Sequence, residues 1–212
     1  AWLNHNTRLC GGTLDSYATV PKYQTLANSD GYKTEPYAIM PRFSTRWQKP
    51  LGNAQINVFG QYTRFEHDDK QSGSRFVVYP SVKWDFHNQW GYIRPKFGVH
   101  TSYYDLDSFA GETGRHTSRT LPIFNIDSGM TFERRTRLFS NNYIQTLEPR
   151  LFYNYIPTKS QNDLPNFDSS ENSFSYDQLF RENLYSGNDR INSANSISTA
   201  VQTRILNPEI GF

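Results

Sequence analysis

The 212-residue sequence contains one cysteine and no unbroken apolar run of about 18 residues, and neither sign of charge is in marked excess. Each shortage excludes something. A lone thiol, Cys10, cannot close an internal disulfide, so cysteine usage assigns no redox compartment. Without a long apolar run, no transmembrane helix is expected. The balance of 22 Lys+Arg against 20 Asp+Glu lacks the basic footprint of a nucleic-acid-binding protein, so no nucleic-acid partner is expected. The opening Ala1-Trp2-Leu3-Asn4-His5-Asn6 has neither the basic n-region nor the apolar core of a signal peptide. An exported protein with this sequence is expected to be a mature part or a fragment.

Catalytic groupings are also missing. The five histidines (His5, His67, His87, His100, His116) stand singly, with no HExxH and no pair at metal-ligand spacing, and read as solvated or turn residues. Leu9-Cys10-Gly11-Gly12-Thr13-Leu14 is similar to the stretch around a cysteine in trypsin-like proteases. It lacks the partner cysteines, a following histidine and a serine nucleophile in its glycine-rich turn, so the likeness is assigned to chance. Gly60 and Gly98 are isolated within strands and form no phosphate-cradling loop. Asp127 and Glu133 share a strand face, as do Glu148 and Arg150, which suits charged pairs that neutralise one another. No enzyme activity, cofactor or metal is expected.

What the sequence does have is aromatic and polar at once: 14 Tyr, 15 Phe and 4 Trp among abundant Asn, Ser, Asp and Gln. Such a chain needs two kinds of surface, and a transmembrane β-barrel supplies them by alternating lipid-facing and lumen-facing side chains. Over Ser74–Phe86, Phe76, Val78, Pro80, Val82, Trp84 and Phe86 share one face, and Arg75, Val77, Tyr79, Ser81, Lys83 and Asp85 share the other. His87-Asn88-Gln89 reads as a tight turn. Trp90–Tyr104 then repeats the pattern, with Ile93, Pro95, Phe97, Val99, Thr101 and Tyr103 opposite Arg94, Lys96, Gly98, His100 and Ser102. Trp84, Phe86, Trp90 and Tyr92 flank that turn, where an aromatic girdle would sit.

Further strands are expected at Tyr37–Gln48, Ala54–Glu66, Arg119–Glu133, Tyr143–Pro157 and Ser193–Ile205, with one more in the N-terminal stretch. Short connectors such as Lys49-Pro50-Leu51-Gly52-Asn53 alternate with long polar ones such as 105–118. The expected fold is all-β: an antiparallel transmembrane β-barrel segment of about seven or eight strands from a larger barrel. A soluble β-sandwich binding module or surface adhesin is the alternative. Pro41, Pro80, Pro95, Pro122 and Pro149 fall inside strands, where a missing N–H is expected to mark bulges. The irregular stretch 158–192 carries Phe167, Phe174, Tyr176, Phe180 and Tyr185, as a loop packed on something would, and Asp177 and Arg181 stand four apart, as in a helical turn.

Leu147-Glu148-Pro149-Arg150-Leu151-Phe152-Tyr153-Asn154-Tyr155-Ile156-Pro157 is followed by Asp163-Leu164-Pro165-Asn166-Phe167-Asp168. Next come the block from Gln178-Leu179-Phe180-Arg181 to Gly187-Asn188-Asp189-Arg190-Ile191, then Ser193-Ala194-Asn195 and Val201-Gln202-Thr203-Arg204. In this order, and with Leu121-Pro122 and Asp127-Ser128-Gly129-Met130-Thr131-Phe132-Glu133-Arg134 before them, these blocks resemble the barrel of the LptD family. Strong resemblance covers 119–205, with continuation back to about residue 37. It divides the chain into an unmatched stretch 1–36, a barrel segment 37–205 and an end or truncation at 206–212, where Phe212 is similar to the terminal aromatic of such barrels. Cys10 matches none of the family's disulfide cysteines.

The resemblance implies a mid-barrel portion of the outer-membrane machine that assembles lipopolysaccharide at the bacterial cell surface. It also implies an LptE-type plug lipoprotein inside the barrel, a periplasmic LptA-type bridge acting through an N-terminal domain, outer-membrane lipid outside, and no catalytic residue or cofactor. Family members are several times longer than this chain. Alternation offers Lys83, Asp85, Arg94, Lys96, His100, Glu148 and Arg150 as lumen-facing candidates for contact with lipopolysaccharide, cations being suited to phosphates. Because family loops fold inward against the plug, Phe167, Tyr176, Phe180, Arg181 and Tyr185 are the candidate plug contacts.

Overall fold

The computed structural model describes residues 2–21, 36–138 and 141–207. Phe212 and the rest of the expected C-terminal end beyond Asn207 lie outside them. The described chain is one antiparallel sheet: β1 (Trp2–Leu9), β2 (Gly12–Thr19), β3 (Ala38–Leu51), β4 (Ala54–Glu66), β5 (Gly73–Trp84), β6 (Phe86–His87), β7 (Gly91–Leu106), β8 (Arg115–Met130), β9 (Phe132–Leu138), β10 (Asn141–Ile156) and β11 (Ala194–Leu206). Strands pair in chain order, with β6 a short continuation beside β7 and β9 a continuation beside β10. The sheet does not close on itself, so the fold is a barrel segment with β1 and β11 at its edges. The described residues of the stretch without a recognisable motif hold two strands, β1 and β2, rather than the one expected.

Local chemistry explains the turns. Cys10 and Gly11 both have positive φ, 51° and 75°, as the two central residues of a type I′ hairpin require. At the β6–β7 turn the Asn88 side-chain oxygen accepts from the backbone N–H groups of Trp90 (3.0 Å) and Gly91 (2.9 Å). These tight turns lie at one end of the sheet, and the connectors 67–72, 107–114 and 157–193 lie at the other. No helix among the described residues is long and apolar enough to cross a membrane; β3, β4, β5, β7 and β8, of 12 to 16 residues each, exceed the roughly 9–11 residues needed to span one.

The two faces divide as period two dictates. Val77, His100, Ser102, Tyr104, Arg75 and Arg119 are buried on the face that carries the 157–193 loop, while Phe76, Ile93, Phe97, Tyr103, Leu147, Leu151, Ile197 and Val201 are exposed on the other. An apolar outer face left bare is the opposite of a sandwich, whose apolar face is covered by a second sheet. Trp90 and Phe86 are exposed beside the turn. Tyr92 does not join them: two residues before Arg94 on the same strand, it turns inward and donates its hydroxyl to Asp127 (3.3 Å).

The strand prolines correct the expectation of bulges. Only Pro41 lies at a register shift, between Ile39 and Arg42. Pro80, Pro95, Pro122 and Pro149 keep register with Val58, Ile126, Val99 and Val201 respectively. On its other side each faces an interruption: β5–β7 pairing skips from Val78 to Ser81, β7 has no partner between Ile93 and Lys96, and β8–β10 pairing begins only at Phe124. Pro149 sits where β8 gives way to β9. A residue without an N–H is tolerated where a ladder is already broken. One further irregularity follows from that break: β9 continues past the β6–β7 turn, about 23 Å at 3.3 Å per residue, and among the described residues it is paired only with β10.

Candidate functional site

The loop 157–193 does not extend away from the sheet; it folds onto the inner face, and two sets of contacts hold it there. In the first, at the end of the wall where the long connectors lie, the Arg75 guanidinium reaches from β5 to Asp168 (2.6 and 2.7 Å) and to Asp189 (2.6 Å). Asp189 also accepts from the Tyr104 hydroxyl (3.0 Å) and from the backbone N–H groups of Phe167 (2.7 Å) and Asp168 (2.9 Å). Arg119 of β8 donates to the carbonyls of Asn188 (2.9 Å) and Asp189 (2.6 Å) and to Gln161. Arg75 and Asp189 have no side-chain exposure, so neither charge is compensated by water. Burial without such pairing would cost several kcal/mol per ion.

Around this network Phe167 stacks on Phe65 with ring centroids 4.5 Å apart and meets Tyr37 edge-on at 5.0 Å. Ile39, Tyr104, Leu106 and Leu164 complete the cluster. Gly187, at φ +65°, allows the close approach of Asp168, which a Cβ there would strike. Burial works to raise the pKa of Asp168, but the Arg75 hydrogen bonds and charge outweigh it and hold the carboxyl below its ordinary range.

The second set lies nearer the tight turns. Glu182 accepts from the Tyr79 hydroxyl (2.6 Å) and pairs with Lys96, and its backbone carbonyl accepts from Asn154 (2.9 Å). Gly98 leaves room for the Tyr79 ring, whose atoms a Cβ would meet. Phe180, at the end of a short 3-10 turn (Tyr176–Phe180), lies under the Arg150 guanidinium at 4.1 Å and beside Phe152.

Between this second set and the wall lies a cavity of about 740 Å³, within the range of about 300–1,000 Å³ typical of small-molecule sites. Its lining includes Arg46, Lys83, Arg94, Lys96 and Arg181 against only Asp127 and Glu182.

The residues singled out from sequence have separate fates. Lys83, Arg94, Lys96, Phe180 and Arg181 line the cavity. Asp85 pairs with Arg94 (2.8 Å) near the turn, Arg150 grips Asp127 (2.9 Å), and Glu148 meets Arg204 (3.3 Å). His100 is buried beneath Asn188. Phe167 is packed on the wall, Tyr176 is exposed, and Tyr185 pairs with Glu171 across the loop. Asp177 and Arg181 frame the 3-10 turn, not an α-helical one. Sequence reading missed Asp168, Asp189, Glu182 and Arg119. Arg119 lies on the inner face by alternation, and the three carboxylates lie in blocks that carry the resemblance, but nothing local pairs Arg75 with Asp189 across 114 residues.

An all-β wall with an inward-folded loop of this sequence is matched by a family model, "LptD: LPS transport system D", over residues 3–212. The chain belongs to the LptD family. The match takes in β1 and β2 as well as the blocks that carry the resemblance. LPS-assembly protein LptD of Neisseria gonorrhoeae is 65% identical over 210 residues, covering 99% of this chain and 26% of that protein. LPS-assembly protein LptD of Neisseria meningitidis serogroup A is 65% identical over the same shares, and that of Chromobacterium violaceum 42% over 215 residues, covering 100% of this chain and 27% of the relative. The chain thus spans about a quarter of the length of the LptD relatives it matches.

Proposed function

We propose that this chain is a section of an outer-membrane barrel that delivers lipopolysaccharide to the cell surface, its inner face forming part of a polar lumen and its outer face resting in lipid. The observation that carries the reading is the opposition of the faces: a charged, cavity-bearing inner wall behind an exposed apolar outer one. A large amphiphile needs both, a polar passage for its sugar and phosphate part and a lateral release for its acyl chains into the outer leaflet. The process is transport and assembly, without covalent chemistry. Lys83, Arg94 and Lys96 are placed for contact with the polar part; Asp85, His100, Glu148 and Arg150 serve the wall through their internal partners.

An LptE-type plug lipoprotein would meet the exposed side of the loop at Tyr176 and Tyr185, with Phe174 and Leu184 beside them, while Phe167 and Phe180 support the loop from behind and Arg181 lines the cavity. A periplasmic LptA-type bridge would act through the family's N-terminal domain, separate from this segment. In this reading 37–205 is barrel wall with 158–192 as its inward loop, and 1–36 adds the β1–β2 hairpin.

The test uses a chimera in which this segment replaces the matching quarter of the Neisseria gonorrhoeae relative. A photo-crosslinking residue at Lys83 or Arg94 is expected to capture lipopolysaccharide in cells, whereas one at Val82 or Phe97 captures phospholipid. Capture of lipopolysaccharide only at the outer positions, or at none while the chimera displays it normally, would overturn the lumen assignment.

A further inference from the structure

We infer that the cavity beside β5, β7 and β8 holds a discrete anion subsite for a phosphomonoester, centred on Lys83, Lys96 and Asn125. This rests on the transport reading and deepens it, replacing a generally polar passage with a defined resting point.

The register places Lys83 directly opposite Lys96, and Lys96 directly opposite Asn125, so all three occupy one rung of the wall on its inner face. Directly opposed side chains have their Cβ atoms about 5 Å apart, and like charges there are destabilising. The loop relieves half of this conflict by bringing Glu182 to Lys96. Lys83 receives no such partner. Among the described residues, no carboxylate lies within ion-pair distance of Lys83, Arg46 or Arg181, although Arg94 and Arg150 nearby are each paired. The cavity therefore retains three cations outside any ion pair among the described residues, and a dianionic phosphomonoester would supply the charge that Glu182 supplies to Lys96.

The amide of Asn125 is a second and independent sign. Asn125 is only 5% exposed, lines the cavity, and its Nδ2 has no hydrogen-bond partner. A buried donor left unpaired is costly, so a ligand atom that accepts from it is favoured. Its cross-strand neighbour Asn154 has the complementary lack, an unpartnered Oδ1. A phosphate in the cavity offers an acceptor oxygen for the Asn125 amide.

The experiment uses the same chimera, purified in non-ionic detergent. Inorganic phosphate and glucosamine 1-phosphate are titrated and followed by phosphorus NMR line broadening, with N-acetylglucosamine as an uncharged competitor. Both phosphates are expected to bind and the neutral sugar not to compete. K83Q is expected to weaken binding about fivefold or more, and N125D, which places a negative charge on the rung, to abolish it. R8Q removes an equal charge outside the cavity and should change nothing. Equal losses from K83Q and R8Q, or no broadening in the unaltered chimera, would overturn the subsite. Heat-modified gel mobility checks that N125D is folded; if it is not, the K83Q and R8Q comparison decides alone. A further arm compares lipopolysaccharide with its enzymatically dephosphorylated form: preference for the phosphorylated form assigns the site to a lipid-linked phosphate, and equal binding overturns that assignment in favour of soluble phosphate. Normal surface display with phosphate-insensitive spectra would sink the subsite and leave the transport reading standing; failed display with intact phosphate binding would do the reverse.

Discussion

Arg75 and Lys83 lie on the same face of the same strand, about 26 Å apart along it, and the wall treats them in opposite ways. Arg75 is sealed beneath the loop with two carboxylates and a glutamine oxygen for company. Lys83 faces an open cavity with no carboxylate at ion-pair distance among the described residues. The strand is the same; the loop differs, covering one end of the wall closely and standing off the other. Inward direction alone therefore does not distinguish a charge that builds the fold from one available to a ligand. The distinction is made by a segment that begins about 80 residues later.

Breaking the sealed end should have the largest effect. Replacing Asp189 by alanine removes one of the two carboxylates on Arg75 and strands two backbone N–H groups, and loss of one partner of a buried pair costs about 3–5 kcal/mol. The chimera carrying D189A is expected to release its loop, read as rapid proteolysis within 158–192 of a barrel that otherwise keeps its heat-modified mobility. A loop as resistant as the parent's would mean that the aromatic cluster holds it alone.

Acid should produce a milder version. The folded pKa of Asp168 lies below its free value, so its contribution is fully present above the ordinary carboxylate pKa of about 3.9 and fades as pH falls through the depressed value. Loop proteolysis by an acid-active protease should rise only below about pH 4; a rise between neutrality and pH 5 would point to another group. E182Q keeps a hydrogen-bond acceptor for Tyr79 but removes the negative charge that faces Lys96. It is expected to cost about 1 kcal/mol by denaturant titration and to tighten phosphate binding. The smallest effect belongs to K83Q, within about 0.5 kcal/mol in stability; a larger loss would move Lys83 to the structural side of the comparison.

Much of this was legible in the sequence because period two is a local signal. Ala54–Glu66 falls on β4 end to end, and alternation puts Phe76, exposed on the outer face, opposite buried Val77 on β5. The β1–β2 hairpin was harder to see: its strands mix polar and apolar residues on both faces, and its turn residue Cys10 adopts a positive φ that its identity does not announce. The prolines misled because a missing N–H signals a broken ladder without saying whether the break is a bulge or a gap in the neighbour. The loop's length and aromatics indicated that it packs on something. That Asp168 and Asp189 meet Arg75 depends on closing more than 90 residues of chain, information carried by no short window.

Among the described residues, the overhang of β9 leaves one side of Phe132–Leu138 without a strand neighbour, a row of backbone groups open to any extended chain that drifts alongside. Arg134, Arg135 and Arg137 stand along that row, and Glu133 precedes them. Charge of this density discourages a second hydrophobic strand from adding itself. The tip of the hairpin is thus guarded against fibre-like stacking during the interval before the wall is complete, when a barrel-forming chain is most exposed to others of its kind.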